Sequence, residues 1–387
     1  MRLISKPVLL TILASILISA PALPKSWPGF QKGMGIGGWL TNYKRFNVIP
    51  DERRMILTIG DYEHFDSFIT EDDVVNIASI GFDHIRVGFD QIVVEESPFK
   101  YRDRTMKLLE DCAIWCEKHH LNVVFNLHKS LGNYCDIQEE KGLFDDKDLQ
   151  DRFVALWAEM ERRFHDHPAV AFELLNEVQG IDPAPWNELV ERTVSAIRAL
   201  NKDRVIVIGP VGGNYPQFLK HLKIYDDPNI VYTFHFYDPD AFTHQQGVLK
   251  ADQLFYNRKM PYPCDDVDRY RDYKRVVEGV ENAYEGVKRI DKEFLRDAMQ
   301  SAFEFAKEHP DKVLWAGEFG TIRHAKIEWR EAYMNDMISL FKENGLPYCV
   351  WNYLSTPNDG NRFSLVDDDT RKVLSPRLQE ILLGNVK

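Results

Sequence analysis

Six short apolar segments of the chain each end near a side chain that could take part in catalysis. The segment AFELLNEVQG, residues 171–180, is almost entirely apolar until it delivers an amide and a carboxylate, Asn176 and Glu177. A second carboxylate, Glu318, follows the apolar run in WAGEFGT. Two carboxylates brought to one cleft can serve as a general acid and a nucleophile, which is the chemistry that cleaves glycosidic bonds.

The other four segments deliver side chains that would surround such a pair. They are Arg86, His128, His235 with Tyr237, and Trp351. Each of them alone also suits a structural role, since a lone histidine or tryptophan is more often packed in a core than bound to a ligand. Their joint appearance at the ends of six apolar runs favours a single catalytic site.

The elements that must position these residues follow one repeated pattern. Short runs of Val, Ile, Leu and Phe, typical of parallel strands covered on both faces, alternate with longer amphipathic stretches. Eight such units predict an α/β fold, the (β/α)8 TIM barrel, which carries its function at the C-terminal ends of the strands. The doubly wound alternative would show GxGxxG, and GMGIGG at 33–38 does not match it. The predicted strands are Gly35–Leu40, His84–Val87, Asn122–Leu127, Ala171–Leu175, Arg204–Ile208, Ile230–His235, Val313–Ala316 and Pro347–Trp351.

Helices are predicted between these strands. The stretch TEDDVVNIASI begins with Thr70 as N-cap and Asp73 three residues later, close to a capping box. The other predicted helices are 101–120, 146–165, Trp186–Leu200, Tyr215–Leu222, Lys292–His309, Trp329–Asn344 and Pro376–Leu383. The separation of His235 from Val313 is roughly twice what one loop and one helix need. We therefore expect a small insertion subdomain at 242–290, after the sixth strand.

Composition and the N-terminus narrow the class of protein. The 387 residues carry a net charge of −12, which repels nucleic-acid phosphates and anionic lipid, so a neutral substrate fits better. A basic start with Arg2 and Lys6, an apolar stretch at 8–20 and Ala20-Pro21-Ala22 predict a signal peptide at 1–22. Removal after Ala22 would leave a secreted or periplasmic domain at 23–387; the alternative is an uncleaved membrane anchor.

The five cysteines do not have the spacing of a disulfide framework or a zinc site. Cys112 and Cys116 lie four residues apart on a predicted helix, which suits core positions or free thiols. Cys135 and Cys264 fall in predicted loops and could pair. We expect no metal and no cofactor.

Several motifs, taken together, resemble glycoside hydrolase family 5. GFDHIRVGFD, FELLNEV, HFYDPDAFTHQ, GEFGT and VWNY match that family's blocks in the family's order, over roughly residues 33–385. EHFDSFITEDDVVNIASIGFDHIRV together with AFELLNEV is similar to the clostridial endoglucanase C type of cellulase, which also carries a small subdomain after strand 6. The resemblance implies a monomeric, retaining endo-β-1,4-glucanase that acts on cellulose or mixed-linkage β-glucan.

The resemblance also implies a role for each candidate residue. Glu177 would be the acid/base, and Glu318 would be the nucleophile, held by Arg86. Asn176 would bond the 2-hydroxyl of the sugar in the −1 subsite. The same subsite would be lined by His128, His235 and Tyr237, and Trp351 would be the platform on which its sugar stacks. Lys129 stands where many relatives have a second histidine, and the loop LSTPNDGNRFSLVD is long and polar. Both departures bear on which sugar is bound, and the Trp39–Tyr43 segment is a candidate for a further subsite.

The sequence leaves several other functions open. Within the family, a β-mannanase and an exo- or endo-β-1,3-glucanase are alternatives, because loops build the sugar subsites. A non-catalytic carbohydrate-binding barrel is expected to lack one of the two glutamates. A metal-dependent barrel hydrolase needs a His-x-His motif or a carboxylate cluster on its strands, and the sequence shows neither. A phosphate-binding barrel isomerase needs glycine-rich loops after strands 7 and 8, and GEFGT and NYLSTPNDG match that pattern poorly.

Overall fold

Eight parallel strands close into a barrel in the computed structural model, which describes residues 25–44, 56–133, 142–248, 251–357 and 359–385. Each strand pairs with its neighbours in the sequence, and the eighth pairs with the first, for example Gly33 beside Cys349. The predicted (β/α)8 barrel is therefore confirmed. The strands are β1 Lys32–Leu40, β2 His84–Asp90, β3 Asn122–Lys129, β4 Val170–Glu173, β5 Val205–Ile208, β6 Ile230–Phe236, β7 Val313–Phe319 and β8 Tyr348–Val350.

Helices surround the barrel and shield the outer face of the strands. Thr70 and Asp73 form the predicted capping box at the start of one of them. A short antiparallel ladder, Glu95–Ser97 with Lys100–Tyr101, follows β2 outside the barrel. The helices are Ile59–Ser67, Glu71–Ile80, Gln91–Val94, Asp103–Lys118, Gly142–Asp145, Lys147–Phe164, Pro183–Leu200, Asp240–Thr243, Ala251–Tyr256, Val267–Glu278, Lys292–Ala298, Gln300–Glu308, Ile327–Glu343 and Pro376–Leu382.

Two helix predictions need correction, and the sequence analysis did not find the helix Ile59–Ser67. The segment predicted at Tyr215–Leu222 is a 3₁₀ helix, Pro216–His221, in which the turns are closed by i→i+3 hydrogen bonds. The helix predicted at Lys292–His309 is broken at Met299, where ψ is 5°. A turn at one residue leaves the apolar periodicity almost intact, so the pattern did not reveal it. The helix Ile59–Ser67 was missed because Phe65 is its only fully buried residue.

The barrel interior is packed at the N-terminal end of the strands. Trp27 and Phe30 stack with ring centroids 4.1 Å apart, and Trp27 meets Trp315 of β7 edge-on at 5.5 Å. Small and branched residues of the strands complete this layer, including Val124, Ala171, Val207, Val231, Val313 and Cys349. This apolar plug fills the lower barrel, so polar chemistry is confined to the opposite end.

The connection between β6 and β7 carries three helices before the chain reaches Lys292. Cys264 and Ile290 exchange two backbone hydrogen bonds of 2.9 Å, which join the two ends of the segment 264–290. Lys274 bonds both Asp240 and Glu278, at 2.7 and 2.9 Å, and ties the helix Val267–Glu278 to the segment after β6. The insertion boundaries of 242–290 stay a prediction.

Two further predictions concern thiols and the N-terminus. Cys112 and Cys116 are buried free thiols, and Cys264 is also free and buried. Cys135 and the predicted signal peptide at 1–22 lie outside the described residues. Among the residues that the structure does describe, none of the helices has both the length and the apolar character needed to cross a bilayer.

Candidate active site

All eight candidate side chains meet at the C-terminal end of the barrel. Three of the residues are in the last part of a strand: His128 in β3, His235 in β6 and Glu318 in β7. Arg86 lies in the first half of β2, and its long side chain extends to Glu318. The other four come just after a strand: Asn176 and Glu177 after β4, Tyr237 after β6 and Trp351 after β8. Because parallel strands end at the same edge, residues that are far apart in sequence meet at one site.

Arg86 is the centre of a buried charge network. Its guanidinium donates 2.6 and 2.9 Å hydrogen bonds to both oxygens of Glu173, a 2.6 Å bond to Glu318 and a 2.8 Å bond to Asn176 Oδ1. Burial opposes the charge on Arg86, but the carboxylates of Glu173 and Glu318 outweigh it and raise its pKa. Arg86 therefore stays cationic and fixes the position of three acceptors.

Glu173 is the residue of this network that the sequence analysis did not select. It is fully buried in β4, and although burial raises the pKa of its carboxyl group, Arg86 outweighs that effect and lowers it. The sequence does single out Glu173, because it is the one charged residue inside the apolar run AFELLN. A buried charge of this kind is tolerated only with a partner, so it pointed to an internal cation.

Glu318 is held from two directions. Arg86 donates to Oε2, and the phenol of Tyr237 donates to Oε1 at 2.7 Å. Burial and the Glu318 carboxylate raise the pKa of Tyr237 well above its ordinary value, so the phenol remains a donor. The two donors restrict this carboxylate to one orientation, which is what a nucleophile in a cleft requires.

Glu177 has a different environment from Glu318. It adopts φ = 45°, a left-handed conformation that is uncommon for a residue with a side chain. Its Oε1 accepts a 2.8 Å hydrogen bond from His235 Nδ1, and its side chain is 24% exposed against 8% for Glu318. Arg86 and Tyr237 therefore anchor Glu318, whereas the more exposed Glu177 extends into the cleft.

The two histidines of the site are in opposite protonation states. Burial alone lowers the pKa of His235, but the nearby carboxylates of Glu318, Glu173 and Glu177 raise it to about 9. Burial and the charge of Arg86 lower the pKa of His128 well below its usual range. His128 is therefore neutral, with Nδ1 donating to Asn126 Oδ1 at 2.9 Å and Nε2 accepting from Asn42 at 3.2 Å.

Trp351 lies against the first strand because two glycines make room for it. A Cβ atom at Gly35 or Gly37 would stand 2.8 or 2.5 Å from the indole ring, closer than any side-chain contact allows. The ring of His128 is parallel to the indole within 8°, with centroids 5.7 Å apart. The result is a fixed aromatic surface of the kind that packs against the C–H face of a sugar.

The Trp39–Tyr43 segment contributes differently from the expectation. Trp39 is fully buried, and its Nε1 donates to Phe65 O at 2.7 Å, so it belongs to the core and offers no sugar a surface. Asn42 of the same segment reaches the site through its contact with His128. Lys129 is also buried, and it pairs in register with Asp90 at the end of β2.

Glu177, His235 and Glu318 are the one group of three His, Cys, Asp or Glu residues in the described part of the chain whose side chains are close enough to hold a metal ion. One oxygen of each carboxylate and one nitrogen of His235 lie within 4.8 Å of one another. These atoms are of the types that bind a divalent cation. The imidazole Nδ1, however, donates its proton to Glu177, so a metal would have to displace that proton. The same short separation is what a two-carboxylate glycosidase needs.

Sequence comparison relates the chain to proteins of known activity. A sequence model of the cellulase family, glycosyl hydrolase family 5, matches residues 51–356. The chain is 35% identical to endoglucanase C of Acetivibrio thermocellus over 363 residues, which are 91% of this chain and 98% of that protein. It is 33% identical to cellodextrinase A of Ruminococcus flavefaciens over 231 residues, 58% of this chain and 63% of that protein.

Solved structures with the same fold include two cellulases. A hyperthermophilic endo-β-1,4-glucanase in complex with substrate superposes with a TM-score of 0.69 at 21% identity, covering 92% of this chain and 97% of that one. Cel5A of Thermotoga maritima in complex with cellobiose gives a TM-score of 0.69 at 23% identity, covering 91% and 97%. At these identities the likeness establishes the barrel fold.

Proposed function

The chain belongs to the cellulase family, glycosyl hydrolase family 5, and from that premise we propose that it is a secreted, retaining endo-β-1,4-glucanase. The relative that supports the substrate class is an endoglucanase that matches the chain along nearly its whole length. A neutral β-1,4-glucan also fits the net charge of −12, because an uncharged polymer is not repelled by an acidic surface.

The observation that carries the mechanism is the separation of the two carboxylates. Oxygen atoms of Glu177 and Glu318 lie within 4.8 Å of each other. Retaining glycosidases hold their carboxyl groups about 5–5.5 Å apart, whereas inverting enzymes need about 6.5–9.5 Å to admit a water molecule. The short separation favours direct attack by a carboxylate and retention of configuration.

In the first step Glu318 attacks the anomeric carbon of the sugar in the −1 subsite. Arg86 and Tyr237 each donate a hydrogen bond to this carboxylate and orient it. Glu177 gives its proton to the glycosidic oxygen as the bond to the anomeric carbon breaks, so the leaving chain departs as a neutral alcohol. The product is a glycosyl ester on Glu318 with the configuration inverted.

In the second step Glu177, now ionised, takes a proton from a water molecule that attacks the anomeric carbon. The ester bond breaks, Glu318 regains its negative charge, and the second inversion restores the starting configuration. His235 donates to Glu177 through Nδ1 and stabilises the carboxylate in the interval between the two steps. Asn176, whose Oδ1 accepts a hydrogen bond from Arg86, bonds the 2-hydroxyl of the same sugar in this proposal.

The test of this assignment is rescue of Glu318→Ala by azide. We expect the variant to lose turnover and to form an α-glycosyl azide, because azide fills the space of the missing carboxylate and attacks in its place. Glu177→Ala is the matched variant, and we expect it to keep glycosylation only with substrates that carry good leaving groups. Recovery of a β-configured azide from Glu318→Ala would contradict the nucleophile role of Glu318.

Substrate and mode of attack need a panel of polymers. We expect carboxymethyl-cellulose and mixed-linkage β-glucan to yield a spread of oligosaccharides, with Glu318→Ala as the inactive control. Release of monosaccharide alone, or activity confined to laminarin or galactomannan, would overturn the endo-β-1,4-glucanase proposal. Export is tested by N-terminal sequencing of protein recovered from outside the cytoplasm, where we expect a new terminus after Ala22.

A further inference from the structure

Asn214 lies in a turn that joins the two sides of the candidate site. Gly212, Gly213 and Asn214 have φ values of 73, 70 and 60°, and asparagine is among the few residues with a side chain that tolerate this left-handed region. The turn is held by two backbone bonds, from Gly213 N to Val178 O at 3.0 Å and from His235 N to Asn214 O at 2.9 Å. It therefore links the residue after Glu177 to the backbone of His235.

The side chain of Asn214 is directed at the imidazole of His235. It is completely buried, and its amide stands 3.3 Å from His235 Nε2. Gly209, at the end of β5, leaves the space it occupies, since a Cβ atom there would lie 2.5 Å from both terminal amide atoms. With the amide nitrogen towards the ring, Oδ1 is buried without a partner among the described residues. A half-turn of the amide puts the nitrogen in that same place, so the choice between the two orientations depends on the charge of the ring.

The surroundings of His235 decide which amide atom faces it. The ring is approached by Glu173 and Glu177 from β4, by Glu318 from β7 and by Arg86 from β2, with neutral His128 of β3 beyond. Three carboxylates against one arginine favour an imidazolium, in which both ring nitrogens are donors. The oxygen and nitrogen of an asparagine amide exchange places by a half-turn about χ2.

We propose that Asn214 is a positioning residue of this site, whose amide oxygen accepts a hydrogen bond from His235 Nε2–H and so keeps Nδ1–H directed at Glu177. The acceptor is neutral, so it orients the ring without adding a fourth negative charge to the cluster. Asn214 acts through His235, and its contribution to turnover rests on the acid/base role proposed for Glu177. Its contact with His235 does not depend on that role.

The discriminating variant is Asn214→Gly, which removes the amide and suits the left-handed backbone. Loss of an acceptor from the charged imidazole makes protonation less favourable, so we expect the titration midpoint of His235 to fall by about one pH unit. If the amide nitrogen instead donates to a neutral Nε2, the same variant raises the midpoint. Nitrogen-15 NMR of labelled histidine measures the midpoint and shows directly whether Nε2 carries a proton at pH 7.

Kinetics supply the second readout. We expect kcat of Asn214→Gly on an aryl cellobioside to fall about tenfold and its alkaline limb to move to lower pH, with KM nearly unchanged, because the buried amide does not reach the sugar. Asn214→Asp, which keeps an oxygen towards the ring, should restore the alkaline limb. An unchanged or raised His235 midpoint in Asn214→Gly would overturn the proposal, whether or not the chain proves to be a glucanase.

Discussion

Replacing Glu173 with glutamine removes one buried negative charge and almost no volume. In the parent protein both Glu173 oxygens accept from Arg86, at 2.6 and 2.9 Å, and neither residue is exposed to solvent. A glutamine amide can accept only one of these bonds, and its NH₂ group faces a donor of the guanidinium. Arg86 keeps Glu318 and Asn176 as partners, so its charge is not left alone.

The magnitude follows from these contacts. Removing one partner of a buried ion pair costs about 3–5 kcal/mol, and the remaining partners of Arg86 place this variant at about 3 kcal/mol. With an unfolding entropy of roughly 2 cal/mol/K per residue, a chain of this size should lose about 4 °C in Tm. Displacement of the guanidinium also moves Glu318, and a shift of about 1 Å at a reacting group can cost roughly 100-fold in kcat.

The matched control is Glu161→Gln. Glu161 is also fully buried and bonds Arg204 at 2.6 Å, but Arg204 contacts His167 O and Val170 O at the N-terminal end of the barrel. We expect calorimetry to show similar losses of Tm in both variants and kinetics on an aryl cellobioside to show a loss of kcat in Glu173→Gln alone. Equal kcat values in the two variants would refute the claim that Glu173 orients the nucleophile through Arg86.

Three further predictions test the site. Neighbouring carboxylates raise the pKa of His235 in the folded protein to about 9, above its ordinary 6.5. Protonated His235 therefore adds roughly 3 kcal/mol to the free energy of unfolding below pH 6.5, and this contribution is lost as pH rises through 9. Urea unfolding at pH 6 and at pH 9.5 measures the loss, and His235→Asn should reduce the difference between the two pH values. Gly37→Ala should displace Trp351, change its fluorescence and lower kcat/KM by at least about tenfold. Gly60→Ala is the control: its added Cβ atom would lie 3.8 Å from Thr58 Oγ1, an ordinary contact, so the fluorescence and kcat/KM should be unchanged. Dialysis against EDTA should not alter kcat, and a loss of activity that one divalent metal restores would contradict the two-carboxylate mechanism.

Residue types along the chain are sufficient to predict the barrel and most of the residues at its upper rim. Continuous apolar runs are set by the burial of both faces of a parallel strand, so all eight strands could be located from residue type alone. The polar residue that ends such a run must lie at the C-terminal end of the barrel, and this rule brought Glu177 and Glu318 together without any contact being known. Local capping chemistry likewise located the helix that begins after Thr70.

How these residues act on one another becomes evident once the chain is folded. Arg86 and Glu318 are 232 positions apart in the sequence yet 2.6 Å apart in space, and neither position indicates that Glu173 shares the same guanidinium. Two histidines of identical chemistry become a cation at 235 and a neutral ring at 128, because one faces three carboxylates and the other a buried amide and a cation. Charge and hydrogen bonding depend on distances across the barrel, and those distances arise only when the strands have closed.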